Sequence, residues 1–337
     1  MSKADAVAAA LWVGVTLYAV FGGADFGAGF WALLAGGGER GRRRRELIDW
    51  AIGPVWEANH VWLIFVLVVL WTAFSTAFAS IMSTLFIPLS LAALGIVLRG
   101  SGFAFHKVVS RPRDRRLAEA AFAISSVLTP FFMGTVVGGI ASGRVPIGNA
   151  EGDPVTSWLN PVSLLIGVLF VATGAYLAAV FLVSDARRYG DPDLERYFAT
   201  RALAAAVGAG AVAFAGIFVL HADARYIYDG LTSEGLPLVL ASGAFGLGAL
   251  VLLWRRAPRG VRPLAVGAVV AVIWGWGAAQ YPYLLPEKLK IADGAAASAT
   301  LTAVLVVFGV AVVVVLPALG LLYTLGQRSV LEEETEG

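Results

Sequence analysis

Glu57 and His60 stand three residues apart in the run Gly53-Pro54-Val55-Trp56-Glu57-Ala58-Asn59-His60-Val61-Trp62, inside a stretch otherwise suited to lipid. On a helix that spacing puts the carboxyl and the imidazole on one face, while Asn59 and Trp62 share another. Ionisable groups at membrane depth cost about 2.5 kcal/mol or more, so they usually face a bundle interior and mark proton or ion paths. Glu57 falls some way into its apolar run, about 15 Å deep at a rise of about 1.5 Å per residue. A carboxyl group there, able to exist neutral in a low-dielectric setting, suits a relay that accepts and passes protons. A lone intramembrane histidine is more often a hydrogen-bond partner than a haem ligand, and His60 reads that way.

Two further charges stand inside apolar runs. Asp25 sits in Gly22-Gly23-Ala24-Asp25-Phe26-Gly27-Ala28-Gly29, where Gly23 and Gly27 flatten one helix face for close contact with a neighbour. It reads either as a member of a proton or ion path or as a structural carboxylate paired with a base. Arg99, in Leu98-Arg99-Gly100, either snorkels to the interface or forms an ion pair with a buried carboxylate.

The elements that must position these residues are membrane spans. Hydrophobic residues make up 58% of the 337 and charged residues only 14%, well below the roughly 25% of soluble domains. Cysteine is absent, which excludes disulfides and thiolate metal sites, and 3 His with 3 Met leave few haem or metal ligands. No cleavable signal peptide is expected, since the first apolar run lacks a basic leader and a small-residue cleavage site. Apolar runs long enough for about 30 Å of hydrocarbon fall at 6–36, 47–73, 77–105, 118–142, 158–184, 199–221, 236–254, 263–285 and 297–325. The reading is an all-α integral membrane protein of about nine transmembrane helices, one polytopic domain over 1–337 with no soluble domain.

Arginine fixes the orientation. Arg40 with Arg42 to Arg45 fills the first loop, and Lys107, Arg111, Arg113, Arg115 and Arg116 fill the third. Arg187, Arg188, Arg196 and Arg201 follow in the fifth, and Arg255, Arg256, Arg259 and Arg262 in the seventh. The alternate loops are poor in base, so the N-terminus is expected outside and the C-terminus in the cytoplasm. Trp71, Trp158 and Trp254 read as interfacial anchors. His221, Asp223 and Arg225 read as a hydrogen-bonded turn at the outer surface, and the acidic run 332–336 as a solvated end.

These motifs resemble subunit II of the cytochrome bd-type quinol oxidases, most strongly over 18–106. The resemblance rests on Gly22–Gly29, on Pro54–Trp62, and on Leu98-Arg99-Gly100 through Phe103-Ala104-Phe105, with weaker support from 274–286. It implies two four-helix bundles plus a ninth, peripheral helix in a bacterial cytoplasmic membrane. It implies a heterodimer with a haem-bearing subunit I, which carries haems b558, b595 and d and draws on the quinone pool. Subunit II would bind no haem or metal itself, would stabilise its partner and would help supply cytoplasmic protons for O2 reduction. A small single-helix subunit and a structurally bound quinone or lipid stay open, and no nucleic-acid partner is expected. The resemblance puts Glu57, Asp25 and His60 on the proton pathway and Trp62 near the route by which oxygen arrives. Arg99 and Asn59 would serve as ion-pair or structural groups. His60 departs from the Gln or Glu common at its position.

Two other readings compete. A haem-bearing catalytic subunit needs spaced His and Met ligands and a long hydrophilic loop after the sixth span, where only 222–235 is available. A solute or ion transporter using Asp25, Glu57 and Arg99 is the alternative from another class, though broken helices and inverted repeats are not evident.

Overall fold

The computed structural model describes residues 2–52, 56–108, 112–257 and 259–327; side chains at 52, 56–58, 103–108, 112–119, 316, 319 and 322–327 lie outside the description. Ser2 starts the first helix. Its hydroxyl accepts from the Asp5 N–H at 3.1 Å, and the Asp5 carboxylate accepts from the Ser2 N–H at 2.9 Å, a reciprocal cap. Helix α1 (Lys3–Leu17) runs through a π-helical turn at Tyr18–Gly22 into α2 (Gly23–Leu33), one apolar passage of 31 residues.

The arginine-rich segment expected as a loop is helical. Helix α3 (Gly38–Ile52) takes up Arg40 to Arg45, and Arg42 reaches Glu39 at 2.6 Å and Glu46 at 2.7 Å along one face. Leu47 and Ile48, fully buried, dock this helix on the core. The span expected at 47–73 therefore begins later, as α4 (Trp56–Ala73).

The span expected at 77–105 is also divided. Helix α5 (Ser75–Thr84) leaves α4 at 118°, and α6 (Phe86–Val108) begins after a break at Leu85. The bend at Phe74 holds no Pro or Gly, whereas Pro88, in the first turn of α6, cannot donate to the Thr84 carbonyl and marks the break at Leu85. Phe74 and Leu85 are fully buried in the same apolar cluster, so tertiary packing sets the bend at Phe74.

Helix α7 (Pro112–Ala141) is followed by the segment 142–160 and then by α8 (Pro161–Tyr189), which Asn160 caps by accepting from the Ser163 N–H at 2.9 Å. Gly190, at φ 74°, ends α8 in the left-handed conformation that glycine adopts without strain. Asp191 then caps α9 (Pro192–Asp223) through the N–H groups of Asp193 and Leu194. Next come α10 (Arg225–Thr232), α11 (Leu236–Trp254) and α12 (Val261–Gln280). The span expected to reach 285 stops at Gln280, where a small antiparallel hairpin of β1 (Tyr283–Leu285) and β2 (Leu289–Lys290) leads through α13 (Ile291–Gly294) into α14 (Ser298–Gln327).

Among the described residues, seven helices are long and apolar enough to cross a membrane, and the bent pair α4 and α5 makes an eighth if counted as one span. Helix α2 packs against α7 and α8, α11 against α12, and α14 against α1 and α4. The approach of α2 to α8 is close enough that a Cβ at Gly27 would overlap the Gly174 carbonyl. Small residues allow this because helices in lipid gain by backbone proximity rather than by burying apolar surface. The Trp12 indole N–H donates to the Ile273 carbonyl at 3.0 Å, tying α1 to α12.

Candidate functional site

Helices α2, α6 and α7 bring three polar side chains together in the apolar interior. Arg99, on α6, is 1% exposed, and its Nη2 donates to Asp25 Oδ1 on α2 at 2.7 Å. The same nitrogen donates to the Asp25 backbone carbonyl at 2.9 Å. Its Nη1 makes a short hydrogen bond to Ser126 on α7, and the Ser126 hydroxyl in turn donates to the Phe122 carbonyl at 2.6 Å. The guanidinium lies 4.2 Å from the ring centre of Phe122 and 4.9 Å from that of Phe26. A cation held this way is compensated by charge, by hydrogen bonds and by ring faces together. Of the two roles open to Arg99, the geometry is that of an ion pair and not of snorkelling.

Gly29 makes the arrangement possible. A Cβ there would overlap Ser126 and come within 2.8 Å of Arg99 Nη1. Gly29 and Ser126 do not stand out in the sequence as part of this site. The spacing of Gly29 four residues after Asp25 is the available signal, since both then fall on one face of α2.

The π-helical turn sits directly before α2. One extra residue per turn rotates the helix beyond it, and such turns recur at functional sites. Tyr18, at its start, sends its hydroxyl to the Met133 sulfur at 3.7 Å and meets the His60 ring edge-on at 6.3 Å. Phe26 also meets that ring edge-on, at 6.1 Å. Phe26 thus touches both His60 and Arg99, which joins the α4 residue to the Asp25–Arg99 pair through one ring. Asp25 Oδ2 has no hydrogen-bond partner among the described residues.

Asn59 and Trp62 are buried on α4, at 5% and 8% exposure. Glu57 belongs to α4, but its side chain lies outside the described residues, as do those of Phe103, Phe105 and His106. Among the described residues no group of three or more His, Asp or Glu side chains converges to hold a metal ion.

The expected His221–Asp223–Arg225 cluster is split. Arg225 contacts His221 at 2.6 Å and pairs with Asp229 at 3.0 Å, whereas Asp223 is taken by Arg144 from the segment after α7. Trp71 and Trp254 are largely exposed, at 63% and 75%, whereas Trp158 is half-buried and packs edge-on against Phe132.

These features define a polytopic helical membrane protein built around a buried aspartate–arginine pair. The sequence profile of the family described as cytochrome bd terminal oxidase subunit II matches residues 4–325, and the chain belongs to this family. It is 29% identical over 225 residues to the cytochrome bd-I ubiquinol oxidase subunit 2 of Escherichia coli K12, covering 64% of this chain and 58% of that protein. The chain thus spans less than two thirds of that relative's length. It is 22% identical over 319 residues to the putative cytochrome bd menaquinol oxidase subunit II of Bacillus subtilis 168, covering 91% and 90% of the two. The fold is similar to a chain of the bd oxidase from Geobacillus thermodenitrificans, with a TM-score of 0.75, 25% identity and coverage of 96% and 98%. The transporter alternative gains nothing from these likenesses.

Proposed function

We propose that this chain is the non-haem second subunit of a cytochrome bd-type quinol:O2 oxidoreductase, working beside a haem-bearing subunit I in a bacterial cytoplasmic membrane. The family match over residues 4–325 is the observation that carries the reading. In it the nine apolar runs form two four-helix bundles and a peripheral helix, with the N-terminus outside and the arginine-rich side facing the cytoplasm. A small single-helix subunit and a structurally held quinone or lipid are compatible additions.

The partner's haems would supply electron transfer and oxygen reduction; the residues of this chain would handle protons and hold the fold. Glu57 accepts a proton from the cytoplasmic side and passes it inward. His60 lies on the same face of α4 and leads toward Phe26 and the Asp25–Arg99 pair. Arg99 fixes Asp25 through Oδ1, and Oδ2, with no hydrogen-bond partner among the described residues, serves as the acceptor on the path. Asn59 steadies α4 within the bundle, and Trp62 flanks the route by which oxygen arrives. Charge moves across the membrane if quinol protons leave outside while the consumed protons come from inside.

The test is purification of the chain from its native membranes in mild detergent, with an absorption spectrum and mass-spectrometric identification of its companions. A stoichiometric haem-bearing membrane partner is expected. Recovery of the chain alone, with no haem, would overturn the reading.

A further inference from the structure

On the arginine-rich side, the ends of α8, α9, α11 and α12 enclose a cleft. Val183 and Leu253 form an apolar floor, each 3% exposed. Arg187, Arg196 and Arg256 form the rim, together with Glu195. Arg187 is fixed there, pairing with Glu195 at 2.7 Å and donating to the Ala257 carbonyl at 3.1 Å. Three guanidinium groups against one carboxylate leave the rim positive.

The backbone at Arg256 is the second observation. Helix α11 ends with the Arg256 N–H on the Leu253 carbonyl at 3.0 Å and the Ala257 N–H on the Leu252 carbonyl at 2.9 Å. This ending places Arg256 at φ 52°, the left-handed position that favours glycine. A long β-carbon-bearing residue in such a place is strained, and strain of this kind concentrates where a side chain is needed for binding. Arg256 lines the cleft from this position.

The surroundings indicate the ligand. The neighbouring Trp254 is 75% exposed at the end of an apolar helix, which sets the cleft at the membrane–water boundary. From there α9 and α11 present apolar side chains outward along their length, Val207, Phe214, Leu240 and Leu247 among them. Guanidinium forks match phosphate oxygens, and an apolar floor excludes a fully hydrated ion.

The cleft itself has a volume of about 20 Å³, room for little more than one water-sized group. We propose that the arginines at its mouth bind the phosphodiester headgroup of an anionic phospholipid, one phosphate oxygen entering the cleft and the acyl chains lying along the outer faces of α9 and α11. The site lies at the ends of α8, α9, α11 and α12, on elements other than the α2, α6 and α7 that carry Asp25, Arg99 and Ser126.

The test uses the chain with whatever subunits purify alongside it, delipidated in detergent and examined by native mass spectrometry. Phosphatidylglycerol and phosphatidylcholine are added in turn. The variant is Arg196→Ala with Arg256→Gly, the second change chosen because glycine fits that backbone and should not weaken the fold. The native protein is expected to retain phosphatidylglycerol at least about tenfold over phosphatidylcholine, and the variant to lose that preference while its lipid-free melting temperature stays the same. If the double variant does not survive purification, each single substitution is read in the same assay. Undiminished phosphatidylglycerol retention in the variants, or equal retention of the two lipids by the native protein, would overturn the proposal. Displacement of phosphatidylglycerol by millimolar inorganic phosphate would also overturn it, by assigning the cleft to a soluble anion.

Discussion

Arg99 Nη2 binds Asp25 twice, to the side-chain carboxylate at 2.7 Å and to the backbone carbonyl at 2.9 Å. One nitrogen thereby locks both the rotamer of Asp25 and the position of α2 relative to α6. Both side chains are almost wholly removed from solvent, at 1% and 2% exposure. In such a setting the pair matters less for its net attraction than for the stranded charge its loss would leave behind.

Removing one member should strand a buried charge at a cost of about 3–5 kcal/mol. Arg99→Ala is expected to lower the melting temperature sharply in detergent, and Asp25→Ala to do the same. The double variant should lose less than the sum of the two, because no unpaired charge remains. Arg99→Lys should recover only part of the loss, since an ammonium cannot serve Asp25 and Ser126 as the planar fork does. Thermal unfolding of the four variants checks this.

The glycines of α2 make a contrasting set. Gly27→Ala should separate α2 from α8 at a cost of about 1–3 kcal/mol, because the new methyl overlaps the Gly174 carbonyl. Gly29→Ala should disturb the Arg99–Ser126 contact instead. Gly208→Ala, on the open face of α9 with nothing within 4 Å, should be neutral or stabilise by up to about 1 kcal/mol. The sign of the effect, read from melting temperatures, separates packing from helix propensity.

Arg144 and Asp223 form a two-pronged pair, at 2.6 and 3.0 Å, and both remain partly exposed. Water and salt screen such a pair, so breaking it with Arg144→Ala should cost only about 0.2–1 kcal/mol. The difference from wild type should shrink further at high salt. Denaturation at two ionic strengths tests both statements.

How far the residues alone reveal these features depends on the kind of signal each one leaves. Asp25 and Arg99 stand out because charge in an apolar run is rare, and ion pairing is one of two roles the sequence leaves open to Arg99. Helix α3 escapes a reading that takes its arginines for a loop; the Glu39–Arg42–Glu46 spacing is its signal. The bend at Phe74 leaves no trace in composition, since buried contacts from other elements make it, whereas Pro88 marks the break at Leu85. Ser126 looks like any hydroxyl in a span, and only the fold brings it to Arg99.

Outside the membrane spans, Asp153 accepts from the Val155 N–H at 2.8 Å and the Thr156 N–H at 2.7 Å. The N–H group of Thr156, then that of Val155, holds its carboxyl below the usual range. A carboxyl lowered on folding stabilises above its unfolded value, about 3.9, and that contribution is lost as pH falls through the folded value. The turn at 153–156 should therefore stay ordered from about pH 8 down to about 4 and loosen only in stronger acid. Amide exchange at Val155 and Thr156, compared with an Asp153→Asn variant, reads this directly.

In the proposed function this chain supplies protons to oxygen reduction carried out by a haem-bearing partner, with Glu57 as the relay. Quinol-driven oxygen consumption by the purified complex carrying Glu57→Gln, normalised to its haem content, tests that role. Turnover is expected to fall by about tenfold or more, as for loss of a group that transfers protons, with haem content and subunit stoichiometry unchanged. Wild-type turnover in that variant would remove Glu57 from the proton path, and loss of the haems would place it in assembly instead.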